Sequence, residues 1–235
     1  MQDRYVGDIG DFAKYSFLNA IARGRKLGVA WYHHPDEAHN SDGKHTKYLK
    51  YPEIWRPLDP KVFDTLAQLV SNNDRNLKSL IESGCLFASA YSTETLGFND
   101  PSFQRRSDWR TAWFERVCRD LNACDIVFAD PDNGLRCDEA FRAGRRKNWK
   151  SLPESEALVL ARNRTAVIYH HNSRYPGGHA EEIRFWMNRL QCSFAVRMRR
   201  FSSRTFFVLN GEPETLERAK LWVCKFGKGY EVVLR

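Results

Sequence analysis

The chain has 235 residues, a formal charge of +8, 42% hydrophobic and 13% aromatic residues. That length suits a single α/β domain spanning 1–235 with a sizeable core, and that composition excludes a disordered chain. No apolar stretch approaches the roughly 20 residues of a membrane span, and the opening MQDRYVGDIGDF lacks the apolar core of a signal peptide, so a cytoplasmic protein is expected.

The elements follow in chain order. Phe12, Phe17, Leu18 and Ile21 are spaced as on a helix over 11–23, with Asp8 or Asp11 at its N-cap. LGVAWY at 27–32 reads as a buried strand. A polar segment over 33–60 is long for a connection inside a compact domain, and Tyr48, Tyr51 and Trp55 predict that part of it packs. Helical spacing resumes over 60–72, with Val62, Phe63, Leu66, Leu69 and Val70, and again over 76–82 before a stop at Gly84. A strand is expected within 85–91. Residues 107–121 form an amphipathic helix carrying Trp109, Trp113, Phe114, Val117 and Leu121, with Ser107 as the expected N-cap.

Ile126-Val127-Phe128-Ala129 is a short apolar run that ends abruptly in Asp130-Pro131-Asp132-Asn133-Gly134. A helix over 152–161, with Pro153 in its first turn, leads to a strand over 165–169 that ends in His170-His171-Asn172. A helix over 178–190 follows. Strands over 193–198 and 205–209 flank a basic stretch, which fits an antiparallel pair at the end of the sheet. A helix over 214–225 and an edge strand over 230–234 complete the chain. This alternation predicts an α/β fold: a doubly wound, mostly parallel sheet with a terminal antiparallel strand pair.

Ligands of such sheets bind along the carboxyl edge of the strands. Three strand ends carry polar clusters there: Trp31-Tyr32-His33-His34, Asp130-Pro131-Asp132-Asn133, and Tyr169-His170-His171-Asn172. Side chains alternate along a strand, so one histidine of each doublet is expected to face a common cleft. Lys and Arg gather at Arg105 and Arg106, over 142–150 and over 197–204, which favours a polyanionic partner, RNA or DNA. The first long run, with Arg142, Arg145, Arg146, Lys147 and Lys150, also holds Trp149, suiting phosphate contact with base stacking. The six cysteines form no C-x-x-C pair and read as small hydrophobes.

Two motifs carry a resemblance. Asp130-Pro131 resembles the start of the strand-end tetrapeptide of amino-methylating enzymes, Asp or Asn, then Pro-Pro and an aromatic; Asp132 and Asn133 stand at its last two positions. Gly7-Asp8-Ile9-Gly10-Asp11-Phe12-Ala13-Lys14-Tyr15 is similar to the G-N-x-x-D-x-x-K-H opening of the J-type ribosomal RNA adenine-N6 methyltransferases of the large subunit. Gly7, Asp11 and Lys14 match; Asp8 replaces the Asn and Tyr15 the His. The family's glycine-rich loop after its first strand is replaced by His33-His34-Pro35-Asp36-Glu37.

The resemblance implies a Rossmann-like methyltransferase fold, S-adenosylmethionine as cofactor and a nucleic-acid substrate whose base is extruded. Asp130 would orient the target amino group, with Asp132, Asn133 and Lys14 beside it, and Asp8, Asp11, His33 and His34 would line the donor side. Two alternatives remain. Asp130, Asp132 and the strand-end histidines have the chemistry to hold divalent metal for phosphodiester hydrolysis. A catalytically silent nucleic-acid-binding relative would keep the scaffold and the basic surface without turnover.

Overall fold

The computed structural model describes residues 1–37, 43, 45–98 and 100–235. It forms two compact units. One comprises Met1, 24–34 and 88–235 and contains the sheet; the other comprises 2–23 and 35–87 and is helical.

In the helical unit, α1 (Ile9–Ile21) starts at Asp8, whose carboxylate accepts from Gly10 N at 2.8 Å. Asp8 is therefore the cap, and Asp11 lies inside the first turn. The polar segment folds into a 3-10 turn (Lys47–Lys50), α2 (Pro52–Trp55) and a second 3-10 turn; its residues 38–42 and 44 lie outside the described set. Tyr48 and Trp55 are buried while Tyr51 is exposed. The two buried rings close on Phe12 of α1 and on Phe63 of α3 (Pro60–Ser71), with centroids 5.6–6.2 Å apart. A short helix, α4 (Leu77–Glu82), starts at Asn76, whose side chain accepts from Ser79 N. Arg75 just before it donates to the carbonyls of Arg4, Val6 and Gly43, tying three loops together.

The other unit is built on a seven-stranded sheet, and it has the expected doubly wound, Rossmann-like architecture. Its strands are β1 (Leu27–Trp31), β2 (Ala90–Ser92), β3 (Ile126–Asp130), β6 (Thr165–His171), β7 (Phe194–Met198), β8 (Arg204–Leu209) and β9 (Tyr230–Leu234), in the order β2-β1-β3-β6-β8-β7-β9. The first four are mutually parallel; β8 runs against both β6 and β7, and β9 against β7. A separate parallel pair joins β4 (Leu135–Arg136) to β5 (Leu152–Pro153) and was not signalled by the sequence.

Alternation along the strands divides their side chains between two faces. Ala30, Val127, Ala129, Ile168 and Phe207 pack under α5 (Arg106–Asp120), α6 (Glu154–Leu160) and α7 (His179–Arg189), which contribute Trp109, Trp113, Val117, Leu160, Ile183 and Trp186. On the opposite face α8 (Pro213–Phe226) stacks Trp222 on Phe226, and both rings meet Tyr230 edge-on. Two helix starts differ from expectation. Arg105, not Ser107, is the N-cap of α5, leaving Ser107 within the helix, and Pro153 precedes α6 rather than opening it. All six cysteines are free thiols, and burial pushes Cys85 and Cys192 up to about 12, which keeps them unreactive. Among the described residues no helix is long and apolar enough to cross a membrane.

Candidate functional site

The parallel strands bring the polar ends of β1, β3 and β6 side by side. Trp31 pairs with Asp130, and Ala129 with Ile168. The Met1 nitrogen bridges the first two ends, donating to Tyr32 O at 3.0 Å and Asp130 O at 3.2 Å, while His34 N donates to Met1 O. Asp130 and His34 are buried, and His33 Nδ1 lies 3.1 Å from Thr95 Oγ1.

The strand-end side chains divide between the two faces of the sheet, with Asp130 and the exposed His171 on one and His170 on the other. Asp130 shares a face with Ile126 and Phe128, whereas His170 continues the face of Ile168 and packs on Trp186 and Phe207. His170 reaches the β3 end through the turn backbone instead: Leu135 N donates to His170 Nδ1 at 2.9 Å. Nδ1 is thus an acceptor, and Nε2–H donates to Glu182 Oε1 at 3.1 Å. Both ring nitrogens are engaged, so His170 offers no lone pair to a metal. His171 is exposed on the other side of the strand. Among the described residues no group of three or more His, Cys, Asp or Glu side chains is arranged to hold a metal.

Glu182, in the first turn of α7, gathers a buried network. It accepts from His170, from Asn172 Nδ2 and from the amide and hydroxyl of Ser173. Asn172 Oδ1 in turn accepts from Ser203 Oγ and Thr205 Oγ1. A continuous chain of hydrogen bonds therefore runs from the turn after Asp130, through His170, Glu182 and Asn172, to the β7–β8 hairpin. Burial works to raise the Glu182 carboxyl, but the hydrogen bonds from His170 and Ser173 outweigh it and bring it down to about 2, against a usual 4.5.

Because the folded-state value is depressed, this carboxylate contributes stability above pH 4.5 that is lost as the pH falls toward 2. We expect that loss to be on the order of 2 kcal/mol. Urea midpoints at pH 7 and pH 3 should differ less in Glu182→Gln than in the wild type; an equal difference in both proteins would remove Glu182 from the acid response.

A second buried centre lies beside the end of β1. Arg110 of α5 is 1% exposed, and its Nη2 donates to Glu156 Oε2 of α6 at 2.7 Å. Tyr32 OH donates to the same oxygen at 2.8 Å. The guanidinium lies over Trp113, Tyr32 and Phe141, at 4.5–5.7 Å from their centroids. Its Nε and Nη1 are buried without a hydrogen-bond partner. Burial raises Glu156 against the opposing pull of Arg110, and burial and the Glu156 charge hold Tyr32 well above its ordinary value.

The remaining candidates divide by unit. Asp132 pairs with Lys150 at 3.7 Å, and Asn133 N donates to Lys150 O at 2.8 Å, so Lys150 braces the turn. Arg142, Arg145, Arg146 and Lys147 are exposed. In the helical unit, Asp11 and Lys14 form a buried ion pair at 3.1 Å, and Asp8 caps α1 and accepts from His45 N. Sequence reasoning placed Tyr32 in the strand-end cluster after β1 but missed Arg110, Glu156 and Glu182. Glu182 left a signal, since it lies four residues before Trp186 and therefore on the apolar side of α7. Arg110 and Glu156 left none, because the two residues lie 46 positions apart on different helices.

No family model matches the chain, and no curated protein matches it.

Proposed function

We propose that this chain is a nucleic-acid-directed, S-adenosylmethionine-dependent methyltransferase that acts on the amino group of a base. The observation that carries the reading is the placement of Asp130-Pro131 at the carboxyl end of β3, next to β1, in a sheet that closes with an antiparallel strand. That is where the resemblance puts a target-orienting carboxylate. Asp130 would accept a hydrogen bond from the exocyclic amine and hold its lone pair toward the donor.

The residues beside β1 suit the donor's amino-acid end. Arg110 presents two buried nitrogens, Nε and Nη1, without an acceptor, matching a carboxylate, and Glu156 matches an ammonium. The donor would supply an electrophilic methyl group. The His170–Glu182–Asn172 chain would hold the turn after Asp130 in place while the base binds.

Calorimetry with S-adenosylmethionine and with its demethylated product is the test, followed by transfer of labelled methyl to RNA and DNA oligonucleotides. Binding of either ligand at millimolar concentration or below is expected. Failure of both to bind overturns the methyltransferase reading, and salt-sensitive nucleic-acid binding would then leave the silent relative. Asp130→Asn keeps a side-chain acceptor, so it should retain donor binding and lose roughly tenfold in turnover.

A further inference from the structure

The β7–β8 hairpin carries an exposed aromatic at its tip, with the Arg200 guanidinium 6.0 Å from the ring centroid. Phe201 is 55% exposed and its φ is +69°, a region that bulky side chains seldom adopt. Ser202 N donates to Arg200 O at 3.0 Å, closing a three-residue turn centred on Phe201. With positive φ at its centre this is the rare and strained form of such a turn. A strained backbone that presents an aromatic ring to solvent persists when the ring has work to do there.

The surroundings say what kind of work. Arg199 and Arg200 precede the ring and are exposed. The tip stands on the carboxyl edge, because β7 runs parallel to β6 and ends there. It is anchored: Asn172 N donates to Ser203 O, and the Asn172 side chain accepts from Ser203 and Thr205. The same network reaches the turn after Asp130. From β3 to the hairpin is two to three strand spacings, about 10–14 Å, too far for one base to touch both.

We infer that Phe201 is a stacking platform for an unpaired base flanking the target, with Arg199 and Arg200 steering the phosphates of a single strand. This rests on the nucleic-acid part of the reading above and names the form of substrate it takes. A π-face with adjacent cations suits single strands, whose bases are open to stacking, and not the closed edges of a duplex.

The test is fluorescence anisotropy with labelled single-stranded RNA, single-stranded DNA and a duplex of the same sequence. Phe201→Gly removes the ring at a φ that glycine adopts freely, so the fold and its melting temperature should hold or improve. Single-strand binding should weaken about tenfold, with the salt slope unchanged. Phe201→Trp should bind as the wild type does, and Arg200→Ala should lower the salt slope by about one. The better of the RNA and DNA arms identifies the natural strand. Unchanged single-strand affinity in Phe201→Gly, or an equal loss on the duplex, overturns the inference while leaving the methyltransferase reading standing. A wild-type chain that binds neither strand removes the nucleic-acid reading, and this inference with it.

Discussion

Gly134→Ala is expected to lower the melting temperature by roughly 10 °C, the size of shift that a loss of about 4 kcal/mol produces in a chain of this length. Two effects add. Gly134 has φ +67°, which costs alanine about 1–2 kcal/mol. A Cβ built there would also lie 2.4 Å from His170 Nδ1. The ring cannot yield cheaply, since Glu182 holds its other nitrogen and Trp186 and Phe207 flank it. Moving it would strand the Leu135 amide and part of the Glu182 network, at about 1–3 kcal/mol for each buried group left unpaired. A double-mutant cycle checks the cause by thermal unfolding. In His170→Ala the obstructing ring is gone, so adding Gly134→Ala should cost only the backbone term. Strict additivity would show that the ring is not what the new methyl meets.

Glu156→Leu should be nearly as damaging, at about 3–5 kcal/mol, because it leaves the Arg110 guanidinium buried and uncompensated. Tyr32 loses the acceptor of its hydroxyl at the same time. The reverse change is milder. In Arg110→Met the thioether fills the space, and Glu156, already raised by burial, takes up a proton and keeps Tyr32. The pair Arg110→Met/Glu156→Leu should recover most of the lost stability in urea unfolding. That double variant also separates structure from function. It should fold, yet fail to bind S-adenosylmethionine if these two groups hold the donor's amino-acid end. A double variant as unstable as Glu156→Leu alone would show that the unpaired cation is not the source of the loss.

The elements were legible wherever periodicity was strong. The apolar run before Asp130, the Trp109–Trp113–Val117 stripe and the strand pair near the chain's end all appear where spacing placed them. The caps were less legible: Ser107 is the better cap by residue type, yet α5 starts two residues earlier, at Arg105, with no side-chain cap hydrogen bond. The short β4–β5 pair joins segments 17 residues apart and has no pattern of its own. The candidate site was legible in its strand ends but not in its contacts. Adjacent strands were enough to neighbour Asp130 with the histidines, whereas the face each side chain takes depends on where the strand stops. β6 continues to His171, two residues beyond the expected end, and that keeps His170 on the face of α7. The Arg110–Glu156 ion pair joins helices far apart in the chain, and a single sequence carries no mark of it.

The position of β8 has a consequence for synthesis. It is made after β6 and β7 yet lies between them, so these two strands cannot pair with one another and must wait for residues 204–209. A nascent chain released before that point would expose two unpaired strand edges, templates for pairing with other chains. The sheet therefore closes late, after most of the polypeptide has left the ribosome, and folding should depend on chaperone protection over that interval more than on the speed of any single helix.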